Sequence, residues 1–271
     1  MSSITSISPA NLSRLIGTPK APLIIDVRTE EDYSADPRLI PGSFRRTAEL
    51  VTSAHQVKDR PLAIVCQKGM KLSQGFAAYL RNEGANAEVL DGGFVAWREA
   101  KLPLVSTKHF PKRDDQNRTL WVTRERPKVD RIACPWLIKR FVDPNAVILF
   151  VQPSEVIAVG ERFGAAPFDV EGVFWGHRGE LCTFDVMLEE FGLKTGPLAR
   201  LADMVRGADT NRPDLSPQAA GLLAASLGLS RMYADDLEQL EAGMLLYDAF
   251  YRWCRDATEE THNWPSHKAK N

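Results

Sequence analysis

Three short apolar runs in the first hundred residues constrain the fold of this chain most strongly. They cover residues 23–25, 62–65 and 87–90, and continuous runs of this length are typical of strands buried on both faces of a parallel sheet. Helical stretches at 72–84 and 94–100 follow the second and third runs, and the first of these ends in a glycine, a common helix stop. Strands alternating with helices predict an α/β domain, a parallel sheet with helices on both faces.

The second apolar run stops at a cysteine, and the loop after it has the composition of an anion-binding site. The sequence Cys66-Gln67-Lys68-Gly69-Met70-Lys71 separates the strand from the next helix. Backbone amides and the helix macrodipole stabilise negative charge at such a position. We therefore expect a lowered cysteine pKa and a nucleophilic thiolate. The alternative is an inert core cysteine, but one glycine and two lysines in five residues favour the anion site.

Several motifs in residues 1–106 together resemble the rhodanese family. The motifs are 23–28 (LIIDVR), 31–33 (EDY), 40–43 (IPGS), the loop 66–71, and 90–93 (LDGG) with Trp97. The resemblance implies a sulfurtransferase that carries sulfur as a persulfide on Cys66, without a metal or organic cofactor. It implies that the loop residues Gln67, Lys68, Gly69, Met70 and Lys71 bind the substrate, whereas Asp26 and Arg28 are interpreted as structural and Trp97 as core.

The length of the cysteine loop favours sulfur transfer over phosphate chemistry. Lys71 is the sixth residue counted from Cys66, and related phosphatases have a longer loop. The rhodanese family often has arginine at the sixth position, and lysine lacks the planar fork of a guanidinium. Thiosulfate is the expected sulfur donor. Because lysine replaces arginine at the sixth position, the sequence does not fix which donor is preferred.

Residues 107–118 are polar and aperiodic, which is typical of a linker. A second domain is predicted over residues 119–257. Strands are expected at 120–123 and 146–151 and within 168–175, and a short helix at 133–141. Further helices are expected from Thr183 to Phe191, from Pro197 to about Arg206, from Ser216-Pro217 onward, and along an apolar face of Leu237, Leu240, Met244, Tyr247, Tyr251 and Cys254. This pattern predicts a smaller, mostly helical α+β domain, and residues 258–271 read as a frayed polar tail.

The second half resembles the carboxy-terminal domain of chromate-resistance proteins of the ChrB type. The matching motifs are 121–124 (WVTR), 128–133 (KVDRIA) with 136–138 (WLI), 168–170 (FDV), His177 with 182–184 (CTF), and 243–244 (GM). The resemblance implies a link to chromate or another oxyanion. A DNA-binding role is not carried over, because the rhodanese-like segment stands where such proteins have a different amino-terminal part.

Candidate ligands for a metal ion lie between residues 175 and 185. A strand–turn–helix path would bring His177, Cys182 and Asp185 together, with Asp203 and Asp209 as further oxygen ligands, and such a set suits zinc or a redox metal. The alternative is a turn histidine, a buried thiol and a helix-start carboxylate, since the spacing matches no established metal motif.

A basic segment precedes these residues and is a second candidate site. Arg131, with Arg124 or Lys128, could face chromate, and the alternative is a solvated basic surface. Between residues 111 and 140 there are nine Lys/Arg and four Asp/Glu. The net charge of the whole chain is −1, however, and no helix-turn-helix is evident, so nucleic acid is not an expected partner.

Length and composition limit the remaining function classes. The 271 residues suit two domains, and no apolar run approaches the roughly 20 residues of a membrane helix. The four cysteines are widely spaced and no signal peptide is evident, so a cytoplasmic protein with reduced thiols is expected. Two functions then compete: a sulfurtransferase fused to an oxyanion-linked domain, and a redox, chromate or metal sensor with little turnover.

Overall fold

The computed structural model of the protein describes residues 5–46 and 60–261. Its first half is built on a five-stranded sheet in the order β1-β5-β4-β2-β3, in which all neighbouring strands are parallel. The strands are β1 (Ser6–Ile7), β2 (Leu23–Asp26), β3 (Ser43–Arg45), β4 (Leu62–Val65) and β5 (Ala87–Leu90), and the helices are α1 (Pro9–Leu15), α2 (Glu30–Ala35), α3 (Lys71–Asn82) and α4 (Gly93–Glu99).

Both faces of this sheet are buried, as the continuous apolar runs predicted. Neighbouring residues of one strand point to opposite faces, so Ile24 packs with residues of α1 and α4, whereas Ile25 packs with residues of α3. The predicted parallel sheet with helices on both faces is therefore confirmed. At the start of the chain, the side chain of Ser8 caps α1 by accepting a hydrogen bond from the amide of Asn11.

The second half combines a three-stranded parallel sheet, in the order β7-β6-β8, with a larger helical part. Its strands are β6 (Leu120–Arg124), β7 (Val147–Val151) and β8 (Ala166–Pro167). Its helices are α5 (Asp130–Leu137), which continues as a π-helical turn (Ile138–Val142), α6 (Val156–Phe163), α7 (Thr183–Phe191), α8 (Gly196–Asp209), α9 (Ala219–Met232) and α10 (Asp236–Asp256).

Several predicted boundaries in the second half were wrong. No strand spans 168–175, where a single bridge joins Phe168 to Trp175. The predicted helix 133–141 begins three residues earlier and ends in the π-helical turn. Helix α9 begins after Gln218 instead of at Ser216-Pro217. Local sequence patterns define such ends poorly, because tertiary contacts decide where a helix stops.

The last helix is buried within its own chain along most of its predicted apolar face. Leu240, Met244, Tyr247, Tyr251 and Cys254 are each at most 6% exposed, whereas Leu237 at the start of the helix is 57% exposed. Across residues 5–46 and 60–261, no helix is long and apolar enough to cross a membrane. Most of the predicted polar tail, residues 262–271, lies outside the described residues.

The two halves pack against each other through a shared apolar core. This core includes Leu12 and Trp97 of the first half and Trp136 and Tyr251 of the second. The amide of Gly42 donates to the carbonyl of Phe141 at 2.6 Å. The segment 107–118, predicted as a linker, also forms specific hydrogen bonds with both halves, among them Asn117 with the carbonyl of Arg45 and Arg113 with Asp143.

Candidate functional site

Cys66 lies at the carboxyl edge of the first sheet, directly after β4 and before α3. Cys66 is only 5% exposed, and its thiol sulfur lies 3.0 Å from the hydroxyl oxygen of Ser73 in the first turn of α3. Burial acts to raise the pKa of Cys66, but hydrogen bonds from the Ser73 hydroxyl and from the amides of Ser73, Lys68 and Met70 lower it below its ordinary value. The arrangement therefore makes the Cys66 thiol more acidic than an ordinary cysteine, the direction that the loop sequence predicted.

Glycines allow the cysteine loop to lie directly against the start of α4. Gly69 has φ +67°, and a Cβ there would lie 2.6 Å from the carbonyl oxygen of Leu90. Gly93 has φ +62°, and a Cβ there would lie 2.3 Å from the carbonyl oxygen of Cys66. The amide of Phe94 donates to that same carbonyl at 3.0 Å. The start of helix α4 thus packs directly against the cysteine loop and fixes its position. The LDGG motif in the sequence did not predict this contact.

The other residues of the cysteine loop differ in their exposure to solvent. Lys68, Met70 and Lys71 are exposed, and no ion pair is recorded for either lysine among the described residues. Gln67 is half-buried, and its buried Oε1 has no hydrogen-bond partner in the described part of the chain. The two lysines thus leave positive charge exposed on the loop that follows Cys66.

Asp26 and Arg28 have the structural role that the sequence predicted. The guanidinium of Arg28 donates to both carboxylate oxygens of Asp26, and it also donates to the carbonyls of Asp36 and Arg38. It lies over the ring of Phe94 at 3.7 Å from the centroid. A side chain with this many partners is fixed, so it braces the loops at the sheet edge without being free for substrate.

Ser73 was not identified from the sequence, and its replacement tests its role. Ser73→Ala removes a hydrogen bond to the thiolate, so the pKa of Cys66 should rise and less thiolate should be present at neutral pH. We expect the rate of Cys66 alkylation at pH 7 to fall about threefold to tenfold, with the deficit shrinking as pH rises. The pH profile of the rate checks this, with the exposed Ser34→Ala as control. An unshifted profile would exclude this role for the hydroxyl.

The structure does not bring together the predicted metal ligands His177, Cys182 and Asp185. The amide and thiol of Cys182 both donate to Asp185 at 3.2 Å, and Arg206 binds the other carboxylate oxygen at 2.7 Å. Cys182 is therefore the N-cap of α7, which begins at Thr183 as the sequence predicted. Burial and the charges of Asp130 and Asp185 raise the pKa of the Cys182 thiol, which disfavours a thiolate ligand.

His177 instead contacts three carboxylates from other elements. Its Nε2 lies 3.2 Å from Asp209 Oδ2, 3.4 Å from Asp169 Oδ1 and 3.6 Å from Asp130 Oδ2. Hydrogen bonds to these carboxylates raise the pKa of His177 to about 12. Burial, with the charges of Asp209 and Asp169, raises the pKa of Asp130 to about 7. Of the further acidic candidates, Asp209 joins this cluster, whereas Asp203 pairs with Arg206.

Arg124 and Arg131, the predicted oxyanion contacts, both lie against Asp169. Their guanidiniums are 3.0 Å and 3.3 Å from its Oδ2, and the Arg124 side chain is 39% exposed. No ion pair of Lys128 is recorded among the described residues. The two arginines thus have a carboxylate partner in the folded chain, while one of them still reaches solvent.

The parallel sheet with a cysteine loop at its carboxyl edge defines the first half as a rhodanese-like domain, and residues 8–100 match the family model of that description. Residues 121–254 match the model of the ChrB C-terminal domain. The chain therefore contains a rhodanese-like segment followed by a segment that matches the ChrB C-terminal domain, as the two resemblances predicted.

Individual relatives match either the first or the second half of the chain. The chain is 34% identical over 153 residues to protein ChrB of Cupriavidus metallidurans, a match that covers 53% of this chain and 44% of that protein. It is 27% identical to a sulfurtransferase of Allochromatium vinosum, over 38% of this chain and 96% of that one. A 47-residue match to thiosulfate sulfurtransferase GlpE of Vibrio cholerae is 45% identical and covers 17% of this chain and 43% of that one. The chain thus spans less than half the length of the ChrB protein.

Proposed function

We propose that the protein is a sulfurtransferase that carries sulfur as a persulfide on Cys66. The observation that carries this proposal is the hydrogen bonding of the Cys66 thiol by the loop amides of Lys68 and Met70 and by the amide and hydroxyl of Ser73, which lowers its pKa despite burial. A stabilised thiolate is the nucleophile that sulfur transfer needs. The rhodanese-like domain and the similarity to sulfurtransferases support the same class of reaction.

The proposed reaction has two steps, and thiosulfate is the proposed donor. The Cys66 thiolate attacks the outer sulfur of thiosulfate, a new S–S bond forms, and the bond within thiosulfate breaks as sulfite leaves with the electron pair. A nucleophilic acceptor then attacks the outer sulfur of the persulfide and restores the thiolate. The amides of Lys68, Met70 and Ser73 stabilise the negative sulfur in both steps, and no cofactor takes part.

Persulfide formation tests the proposal directly. The full chain is mixed with thiosulfate, its intact mass is measured, and thiocyanate release is followed after cyanide is added. We expect the mass of one added sulfur atom and multiple turnovers, both absent in Cys66→Ser and both retained in Cys254→Ser. A wild-type protein with no adduct and no turnover would contradict the proposal for this donor.

A sensor of chromate or another oxyanion is the second candidate function. It is favoured by the ChrB C-terminal domain and by the half-exposed Arg124 beside Arg131. In that case Cys66 is a redox switch, and chromate binding changes the conformation without sulfur turnover. Chromate titration of the wild-type chain without a sulfur donor, followed by tryptophan fluorescence, separates this function from catalysis because no sulfur transfer can then occur, and Cys66→Ser should lose the redox-dependent part of the response.

The proposed setting is the cytoplasm, with a small molecule or a protein as sulfur donor and acceptor. All four cysteines are free and buried, and a persulfide cycle requires a thiol that is kept reduced. Nucleic acid and membrane are not among the proposed partners.

A further inference from the structure

The carboxylate cluster around His177 gathers ligating atoms from four separate parts of the second half. Asp130 begins α5, Asp169 follows β8, His177 lies in the loop before α7, and Asp209 ends α8. One ligand atom from each residue lies within 4.8 Å of all the others. Residues this far apart in the chain are brought together only by the fold, which distinguishes the cluster from an acidic surface stretch.

His177 has more carboxylate neighbours than a single ring N–H can bond well. A single ring N–H can serve one acceptor well, yet Nε2 lies between 3.2 and 3.6 Å from oxygens of three carboxylates. Ligands that bind one ion at about 2.1 Å are separated from adjacent ligands by roughly 3.0–3.4 Å. The distances from His177 Nε2 to the three carboxylate oxygens are therefore close to those between neighbouring ligands of one ion.

Asp130 supplies a second and independent indication. The residue is 0% exposed, and its Oδ2 accepts a hydrogen bond from the amide of Thr183 at 2.6 Å. Its Oδ1 is buried and has no hydrogen-bond partner among the described residues. A buried carboxylate oxygen without a partner is costly, and a cation bound by the Asp130 carboxylate would offset part of that cost.

Neighbouring side chains hold the carboxylates in place for a ligand. The hydroxyl of Thr183 lies 3.2 Å from Asp169 Oδ1, while its amide binds Asp130. Arg124 and Arg131 contact Asp169 through Oδ2, so Oδ1 faces His177. Such outer contacts fix the orientation of first-sphere ligands in metal sites.

We infer that Asp130, Asp169, His177 and Asp209 form a binding site for one divalent transition-metal ion. Three carboxylates and one imidazole make an oxygen-rich set, which suits manganese(II) better than a thiolate-preferring metal. His177 is 43% exposed, so one side of the site is open to solvent or to an exogenous ligand. The site is separate from the proposed sulfur transfer and needs neither Cys66 nor Cys182.

Manganese(II) binding to the chelator-treated full chain tests the site. Electron paramagnetic resonance measures free Mn²⁺ during the titration, and we expect one ion bound per chain. His177→Gln and Asp209→Asn should each weaken Mn²⁺ binding at least about tenfold. Loss of an outer-sphere partner already weakens metal binding about tenfold to a hundredfold, and loss of a direct ligand should cost no less. Asp209→Asn is the safer variant for folding, because this side chain is partly exposed and does not bind the Thr183 amide.

Matched control variants distinguish this site from the metal site that the sequence predicted, which included Cys182 and Asp203. Asp203→Asn changes a carboxylate six residues earlier on the same helix, and Cys182→Ser keeps a capping side chain; both should bind Mn²⁺ like the wild type. Cys66→Ser should also bind normally. The inference is overturned if the wild-type chain binds no stoichiometric Mn²⁺, or if binding survives unchanged in both His177→Gln and Asp209→Asn.

Discussion

Gly93→Ala is expected to destabilise the protein by about 3 kcal/mol or more and to abolish most sulfur transfer. Gly93 has φ +62°, and an added Cβ would lie 2.3 Å from the carbonyl oxygen of Cys66 and 2.4 Å from the amide nitrogen of Gly69. Both neighbours are backbone atoms, so neither can move without displacing the cysteine loop. The loss of activity should exceed the loss of folded protein, because the displaced amides no longer stabilise the thiolate.

Gly84→Ala is the matched control for this experiment. Gly84 also has a positive φ, +88°, but an added Cβ there meets nothing within 4 Å. Backbone strain alone should cost about 1–2 kcal/mol, with sulfur transfer unchanged. Chemical denaturation and thiocyanate release measure the two effects. Equal losses in the two variants would show that the close approach of α4 to the loop is unimportant.

Asp248→Ala is expected to destabilise the second half by about 3–5 kcal/mol, the usual cost of breaking a buried ion pair. Oδ1 of Asp248 accepts hydrogen bonds from Trp136 Nε1 at 2.8 Å and from Arg140 Nε at 2.9 Å, and Oδ2 accepts from Arg140 Nη2 at 2.8 Å. Trp136 is fully buried and Asp248 is 4% exposed. Truncation therefore leaves an indole N–H and most of a guanidinium without a partner.

Two further variants calibrate the Asp248 result. Asp248→Asn keeps an oxygen acceptor for Trp136 but loses the charge, so we expect a smaller loss of stability than for alanine. Asp214→Ala breaks an exposed pair with Arg212 and should cost no more than about 1 kcal/mol. Thermal unfolding followed by near-ultraviolet circular dichroism ranks the three. A midpoint for Asp248→Ala that equals that of Asp214→Ala would contradict the role of the buried pair.

The cysteine loop shows how much of a site a local sequence can specify. Cys66 and the five residues after it are contiguous, and a strand–loop–helix path leaves few ways to arrange them. The sequence therefore predicted both the position of the thiol at the sheet edge and the direction of its pKa shift. Ser73 was missed because its relevance depends on the first turn of α3 facing back toward the thiol.

The carboxylate cluster shows the opposite case. His177, Cys182 and Asp185 are close in sequence, and that proximity suggested one site, yet the start of α7 points the Cys182 and Asp185 side chains away to cap the helix and bind Arg206. Asp130 and Asp169 come from distant segments, and nothing in their local sequences marks them as partners of His177.

What the sequence determined by itself was the set of local structures, namely the buried parallel strands and the anion-stabilising loop, together with the resemblance of each half to a known family. These follow from periodicity and from motifs of a few adjacent residues, whose physics is local. Only the tertiary structure decided which carboxylates surround His177, how α4 braces the cysteine loop and how the halves share one core. Such contacts join residues up to hundreds of positions apart, and their geometry is set by packing of whole elements rather than by any local pattern.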